Sequence, residues 1–211
     1  VRTRDGALRG ARLQGGLRTF FGIPYAEPPV GPLRWKPPRP GKAWAGVRDA
    51  TRFGLDCPQA DTGVGSRAPG QGEDCLTLNV WTPPTGPDDA PRPVLVWVHG
   101  GSFVAGSGSE ERLDGAKLAA QGLVVVTINY RVGLFGFYAH PGLTAESPEG
   151  YSGNQGLLDQ LLALKWLREN IAAFGGDPGR ITAFGVSAGS ASLALLLTSP
   201  LAEGAFDQAI L

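Results

Sequence analysis

Two runs, Val94 to His99 and Leu123 to Asn129, are nearly unbroken in apolar and mostly β-branched residues, and they constrain the fold more than any other feature. Runs this short and this continuous suit parallel strands covered on both faces. Leu76 to Trp81 and Ile181 to Val186 add two more strand-like segments. Between them, Asp114 to Gln121 has helical character. Leu157, Leu158, Leu161, Leu162, Leu164, Leu167 and Ile171 recur at helical spacing, predicting an amphipathic helix that packs on the sheet. That helix is expected to stop at Gly175, Gly176 and Pro178, and a third helix to run from Ala188 to Leu197. Strands alternating with helices argue an α/β class with a mostly parallel, doubly wound sheet.

The remaining segments are punctuated differently. Residues 6 to 22 hold short β-like pieces broken by Gly10, Gly15 and Gly16, and the prolines from Pro24 to Pro40 enforce an extended path, so a small antiparallel flap is expected. Residues Phe206 to Leu211 read as the approach to a further strand, which would leave the sheet incomplete on its C-terminal side and an apolar edge near Ile210 and Leu211.

Nineteen basic residues balance 19 acidic ones, scattered and not striped, so no nucleic-acid or anionic-membrane partner is expected. No apolar run approaches the roughly 18 residues that span a bilayer. Cys57 and Cys75 bracket a Gly/Pro-rich loop; from spacing alone, a disulfide and two buried thiols are equally open. A disulfide would fit a secreted or periplasmic protein, and unpaired thiols a cytoplasmic one.

Gly185-Val186-Ser187-Ala188-Gly189 fits G-x-S-x-G and lies between an expected strand and an expected helix, the context in which a serine becomes a nucleophile on a sharp turn. An ordinary helix-capping serine also fits these five residues. His99-Gly100-Gly101-Ser102-Phe103, directly after the run Val94 to Val98, tips the balance, because a glycine pair there leaves backbone N–H groups free for a substrate oxygen.

With both motifs present, the chain resembles the type-B carboxylesterase/lipase family, which includes the cholinesterases. Further matching segments are Phe21-Gly22-Ile23-Pro24-Tyr25-Ala26, Glu73-Asp74-Cys75-Leu76, Asn129-Tyr130-Arg131, Gly153-Asn154-Gln155-Gly156-Leu157 and Phe174-Gly175-Gly176-Asp177-Pro178. The resemblance implies an α/β-hydrolase fold, with residues 1–211 as the N-terminal part of one catalytic domain. It implies hydrolysis of small-molecule carboxylic esters through an acyl-enzyme on Ser187, with Gly101, Ser102 and Ala188 as oxyanion donors and neither metal nor cofactor. It also favours the Cys57–Cys75 disulfide and implies two structural ion pairs, Arg34 with Glu73 and Arg131 with Asp159.

Two positions depart from the family pattern. Val186 stands where a Glu is usual, which predicts an altered pH dependence, and Ser102 replaces the third glycine, which bears on substrate size. In this fold the acid and histidine follow the serine, yet no histidine lies between Ser187 and Leu211. His99 belongs to the glycine motif, and His140, beside Pro141 and Gly142, is expected in a surface loop. The triad is therefore expected to be completed by a C-terminal segment or second chain, leaving these residues alone inactive. Trp35 and Phe103 fit either a pocket wall or the core. A non-catalytic cholinesterase-like adhesion protein is the alternative, disfavoured by the retained Ser187 and both glycine elements.

Overall fold

The computed structural model describes all residues except 62, 64, 87 and 88. In chain order the strands are β1 (Ala7–Arg9), β2 (Ala11–Arg12), β3 (Arg18–Pro24), β4 (Val47–Asp49), β5 (Thr77–Thr82), β6 (Arg92–Val98), β7 (Val124–Ile128), β8 (Gly176–Gly185) and β9 (Gln208–Ile210). The α-helices are α1 (Ala116–Ala119), α2 (Gly133–Phe137), α3 (Pro141–Glu146), α4 (Gln155–Asn170) and α5 (Ala188–Leu197).

Seven strands form one sheet in the order β2-β3-β5-β7-β6-β8-β9. The apolar runs are the adjacent strands β6 and β7 near its centre: every residue of β7 is buried, as is every residue of β5, whereas β6 buries only Val94, Val96 and Val98 and is not covered on both faces as expected. The sheet is mixed, which corrects the expectation of mostly parallel pairing. β6 pairs parallel with β7 and β8, and β8 with β9, whereas β2, β3, β5 and β7 pair antiparallel in turn. Full burial on both faces produced the continuous apolar signal in β7, and burial is indifferent to the direction of its second neighbour.

The opening segment also differs from a separate flap. β2 and β3 are antiparallel as expected but are part of the main sheet, while β1 pairs parallel with β4 in a small two-stranded sheet. α1 is shorter than expected: Asp114 Oδ1 accepts the Ala116 N–H before it, and Gly122 turns left-handed after it (φ 94°).

β6 shows how the two faces are used. Val94, Val96 and Val98 are buried with Ile181 and Ala183 of β8 beneath Leu164 and Leu167 of α4 and Leu193 of α5. α4 continues as a 3-10 turn, Ile171–Phe174, and ends on left-handed Gly175 (φ 85°), which returns the chain to β8. On the opposite face, α1 covers Trp81 and Val125, but Leu95, Trp97 and Phe184 are only half-buried and Ile210 is exposed. The register places Trp97 beside Phe184 and Phe184 beside Ile210, so these side chains form one apolar stripe.

Candidate active site

Ser187 sits where β8 ends and α5 begins, with φ 54° and ψ −121°, a conformation that non-glycine residues hold at a cost of about 1–3 kcal/mol. The flanking glycines make the turn feasible. A Cβ on Gly185 would lie 2.6 Å from the carbonyl carbon of Gly189, and one on Gly189 would lie 2.1 Å from Val98 O. Small residues thus let α5 start hard against β8 and β6, and the serine is lifted to an exposed position at the C-terminal end of the parallel strands.

The glycine loop leaves β6, the neighbour of β8, and meets the serine from the side. A Cβ on Gly100 would come 2.7 Å from Val186 O and 3.3 Å from Ser187 Cβ, so the loop backbone lies against the turn. Gly101 (φ 111°), Ser102 (φ 53°) and Phe103 (φ 62°) follow in the left-handed region. Gly101 O accepts the N–H groups of Val104 and Ala105 at 3.0 and 3.1 Å. Among the described residues, the N–H groups of Gly101, Ser102 and Ala188 donate to no protein acceptor. These three N–H groups are left without a protein acceptor, on a loop whose Gly100 lies against the turn of the exposed Ser187 and at the start of α5, the positive end of its dipole.

His99 is buried beneath this loop. Its ring stacks on Tyr130 at 4.1 Å, Nδ1 donates to Gly100 O at 2.8 Å, and Tyr130 Oη donates to His99 O at 2.7 Å. Burial lowers its pKa to about 4, against smaller opposing effects of the Gly100 carbonyl and Glu110, so the ring is neutral at pH 7. His140 is exposed; its Nδ1 accepts the Gly142 N–H at 3.1 Å and caps α3.

Both expected ion pairs are present and bidentate. Arg34 Nε and Nη2 donate to Glu73 at 2.5 Å each, and Arg131 Nε and Nη2 donate to Asp159 at 2.8 and 2.7 Å. The second pair is fully buried, and Asp159 also accepts the Arg131 N–H at 3.0 Å, which fixes the start of α2 against α4. Cys57 and Cys75 are joined by a disulfide. Trp35 and Phe103 are both half-buried: Trp35 Nε1 donates to Leu134 O, and Phe103 packs edge-to-face on Phe137.

Among the described residues no group of three or more His, Cys, Asp or Glu side chains is arranged to hold a metal ion, and no helix is long and apolar enough to cross a membrane. Sequence reasoning missed the polar layer beneath the glycine loop. There Ser107 Oγ donates to Asp56, Gly108 N–H to Asn129 Oδ1 at 2.8 Å, and Gln59 brackets Gly106. These partners lie far apart in sequence and share no local pattern that would pair them.

A left-handed serine between a parallel strand and a helix, met by a glycine loop from the adjacent strand, is the arrangement of the α/β-hydrolase fold. The chain belongs to the carboxylesterase family, whose match extends over residues 1–211. It is 56% identical over 210 residues to fumonisin B1 esterase of Sphingopyxis macrogoltabida, covering 99% of this chain and 38% of that protein. It is 49% identical to para-nitrobenzyl esterase of Bacillus subtilis (strain 168), covering 100% of this chain and 42% of that one. Among solved structures, a PNB esterase superposes with a TM-score of 0.91 at 49% identity, over 99% of this chain and 42% of the other. A Geobacillus stearothermophilus carboxylesterase does so with 0.88 at 48%, over 99% and 42%. The chain thus spans about two fifths of the length of these relatives.

Proposed function

We propose that the complete polypeptide carrying these residues hydrolyses small-molecule carboxylic esters by acyl transfer through Ser187, and that residues 1–211 are the N-terminal part of its single catalytic domain. The observation that carries this reading is the left-handed backbone of Ser187 with Gly100 pressed against it. Strain of this kind is held where it serves a site. A histidine base takes the Ser187 Oγ proton as the oxygen attacks the ester carbonyl. The tetrahedral oxyanion accepts hydrogen bonds from the N–H groups of Gly101, Ser102 and Ala188, and the alcohol leaves with the proton. Water then repeats the attack on the acyl-enzyme and releases the acid.

Neither histidine of this chain suits the role of base: His99 is buried against Tyr130, and His140 caps α3 at the surface. The acid and histidine come from a segment beyond Leu211 or from a second chain, and residues 1–211 alone have at most residual activity. The half-covered stripe of Leu95, Trp97 and Phe184 supports a further layer of polypeptide on that face. The disulfide supports a secreted or periplasmic location.

The test is steady-state hydrolysis of p-nitrophenyl acetate by the complete polypeptide and its Ser187→Ala variant. The expected loss in kcat is about 10⁴-fold or more. A Ser187→Ala protein that keeps wild-type turnover overturns the reading.

A further inference from the structure

Gly106 lies just after the glycine loop and is held by a single side chain. Gln59 Oε1 accepts the Gly106 N–H at 2.6 Å, and Gln59 Nε2 donates to Gly106 O at 2.9 Å. One amide therefore satisfies both backbone groups of one residue outside any sheet, as a neighbouring strand would. Gly106 is in turn packed against the start of the loop: a Cβ there would lie 2.2 Å from His99 Nδ1 and 2.4 Å from Gly100 O. One residue earlier, Ala105 O would lie 2.1 Å from a Cβ on Gly101. With no free volume between residues 105–106 and 99–101, displacement of Gly106 is transmitted to the peptides that carry the oxyanion donors.

We infer that Gln59 is a positioning residue for the oxyanion hole, and that the Cys57–Cys75 disulfide is the anchor through which it acts. Gln59 is two residues from Cys57, Nε2 also donates to Cys57 O at 3.0 Å, and its N–H donates to Gln71 Oε1 at 3.0 Å. Both cysteines are buried, and Cys75 leads directly into β5. The amide is thus tied at its base to the sheet and at its tip to the loop. Arg67, from the same disulfide-closed loop, holds Ser109 O and Glu110 O further along and does not touch Gly106, so it provides a control.

The inference rests on the esterase reading, and the experiment separates the two. In the complete polypeptide, kcat and KM for p-nitrophenyl acetate are measured per site titrated by a fluorophosphonate, together with the inhibition constant of a trifluoromethyl ketone, whose tetrahedral adduct needs the oxyanion donors. Gln59→Ala is expected to lower kcat per titrated site about tenfold or more and to weaken the ketone by a similar factor, with KM changed less than about twofold. Gln59→Glu keeps the acceptor for Gly106 N–H, loses both donors, and is expected to fall between; it carries the test if the Ala variant fails to fold. Arg67→Ala lowers the melting temperature but leaves both constants unchanged. A Gln59 variant that changes only the melting temperature or the titratable fraction overturns the inference alone. A wild-type protein that neither hydrolyses the ester nor takes up the fluorophosphonate overturns the esterase reading, and the inference with it.

Discussion

Lowering the pH from 7 to 4 should weaken the fold through His99, the buried ring beneath the glycine loop. In the folded chain its pKa is pushed from the ordinary 6.5 to about 4, chiefly by burial. The unfolded chain therefore binds this proton first, and the contribution of His99 to stability is present above pH 6.5 and lost as the pH falls toward 4. Linkage gives a loss of about 2 kcal/mol between pH 7 and pH 5 and about 3 kcal/mol by pH 4. The structure supplies the cause: Nδ1 is committed to Gly100 O, Nε2 has no protein partner, and Tyr130 covers one face of the ring. The assay is urea unfolding of the complete polypeptide and of His99→Phe, which keeps the stack on Tyr130 and cannot titrate. The variant is expected to gain about 3 kcal/mol relative to wild type on going from pH 7 to pH 4. A wild-type-minus-variant difference that is the same at both pH values refutes the reasoning.

Other perturbations follow from the same geometry. Asp159→Asn leaves the Arg131 guanidinium buried without a counter-charge and should cost roughly 3–5 kcal/mol in urea unfolding, far more than loss of an exposed pair such as Arg4 with Glu169. Gly189→Ala puts a methyl 2.1 Å from Val98 O, so α5 must shift off β6; a loss of about 3 kcal/mol and of fluorophosphonate labelling is expected, and unchanged labelling would show that the turn tolerates the shift. Val186→Glu places a carboxylate beside Ser187 at a half-exposed position and, if the proposed histidine base approaches there, raises its pKa and moves the acid limb of the pH–rate profile upward by up to about one pH unit. An unchanged profile would argue that position 186 does not face the histidine.

The sequence was most readable where local chemistry decides structure. Continuous apolar runs marked β6 and β7, although β6 buries only Val94, Val96 and Val98; leucine spacing marked α4, and the glycines around Ser187 marked a turn that tolerates no side chains on either flank. Strand direction was less readable, because Val124–Ile128 is buried identically whether β5 runs with or against it. α1 is shorter than the helical pattern of its sequence, since Asp114 and Gly122 close a single turn within it. The supports of the site were not readable at all. Gln59 with Gly106, Asp56 with Ser107, and Tyr130 with His99 are each far apart in sequence and share no local pattern that would pair them, although His99 and Tyr130 lie in segments that the family resemblance marks. The ion pairs Arg34–Glu73 and Arg131–Asp159 are equally non-local and were expected only through the family resemblance.

In the proposed reading Ser187 is a nucleophile whose base lies outside residues 1–211. The most direct test is intact mass after exposure to a fluorophosphonate, for the complete polypeptide, its Ser187→Ala variant and the 211-residue chain alone. One adduct on Ser187 of the complete polypeptide, and none on the other two, is the expected result. The absence of an adduct on the complete polypeptide, or an adduct that survives Ser187→Ala, would contradict it.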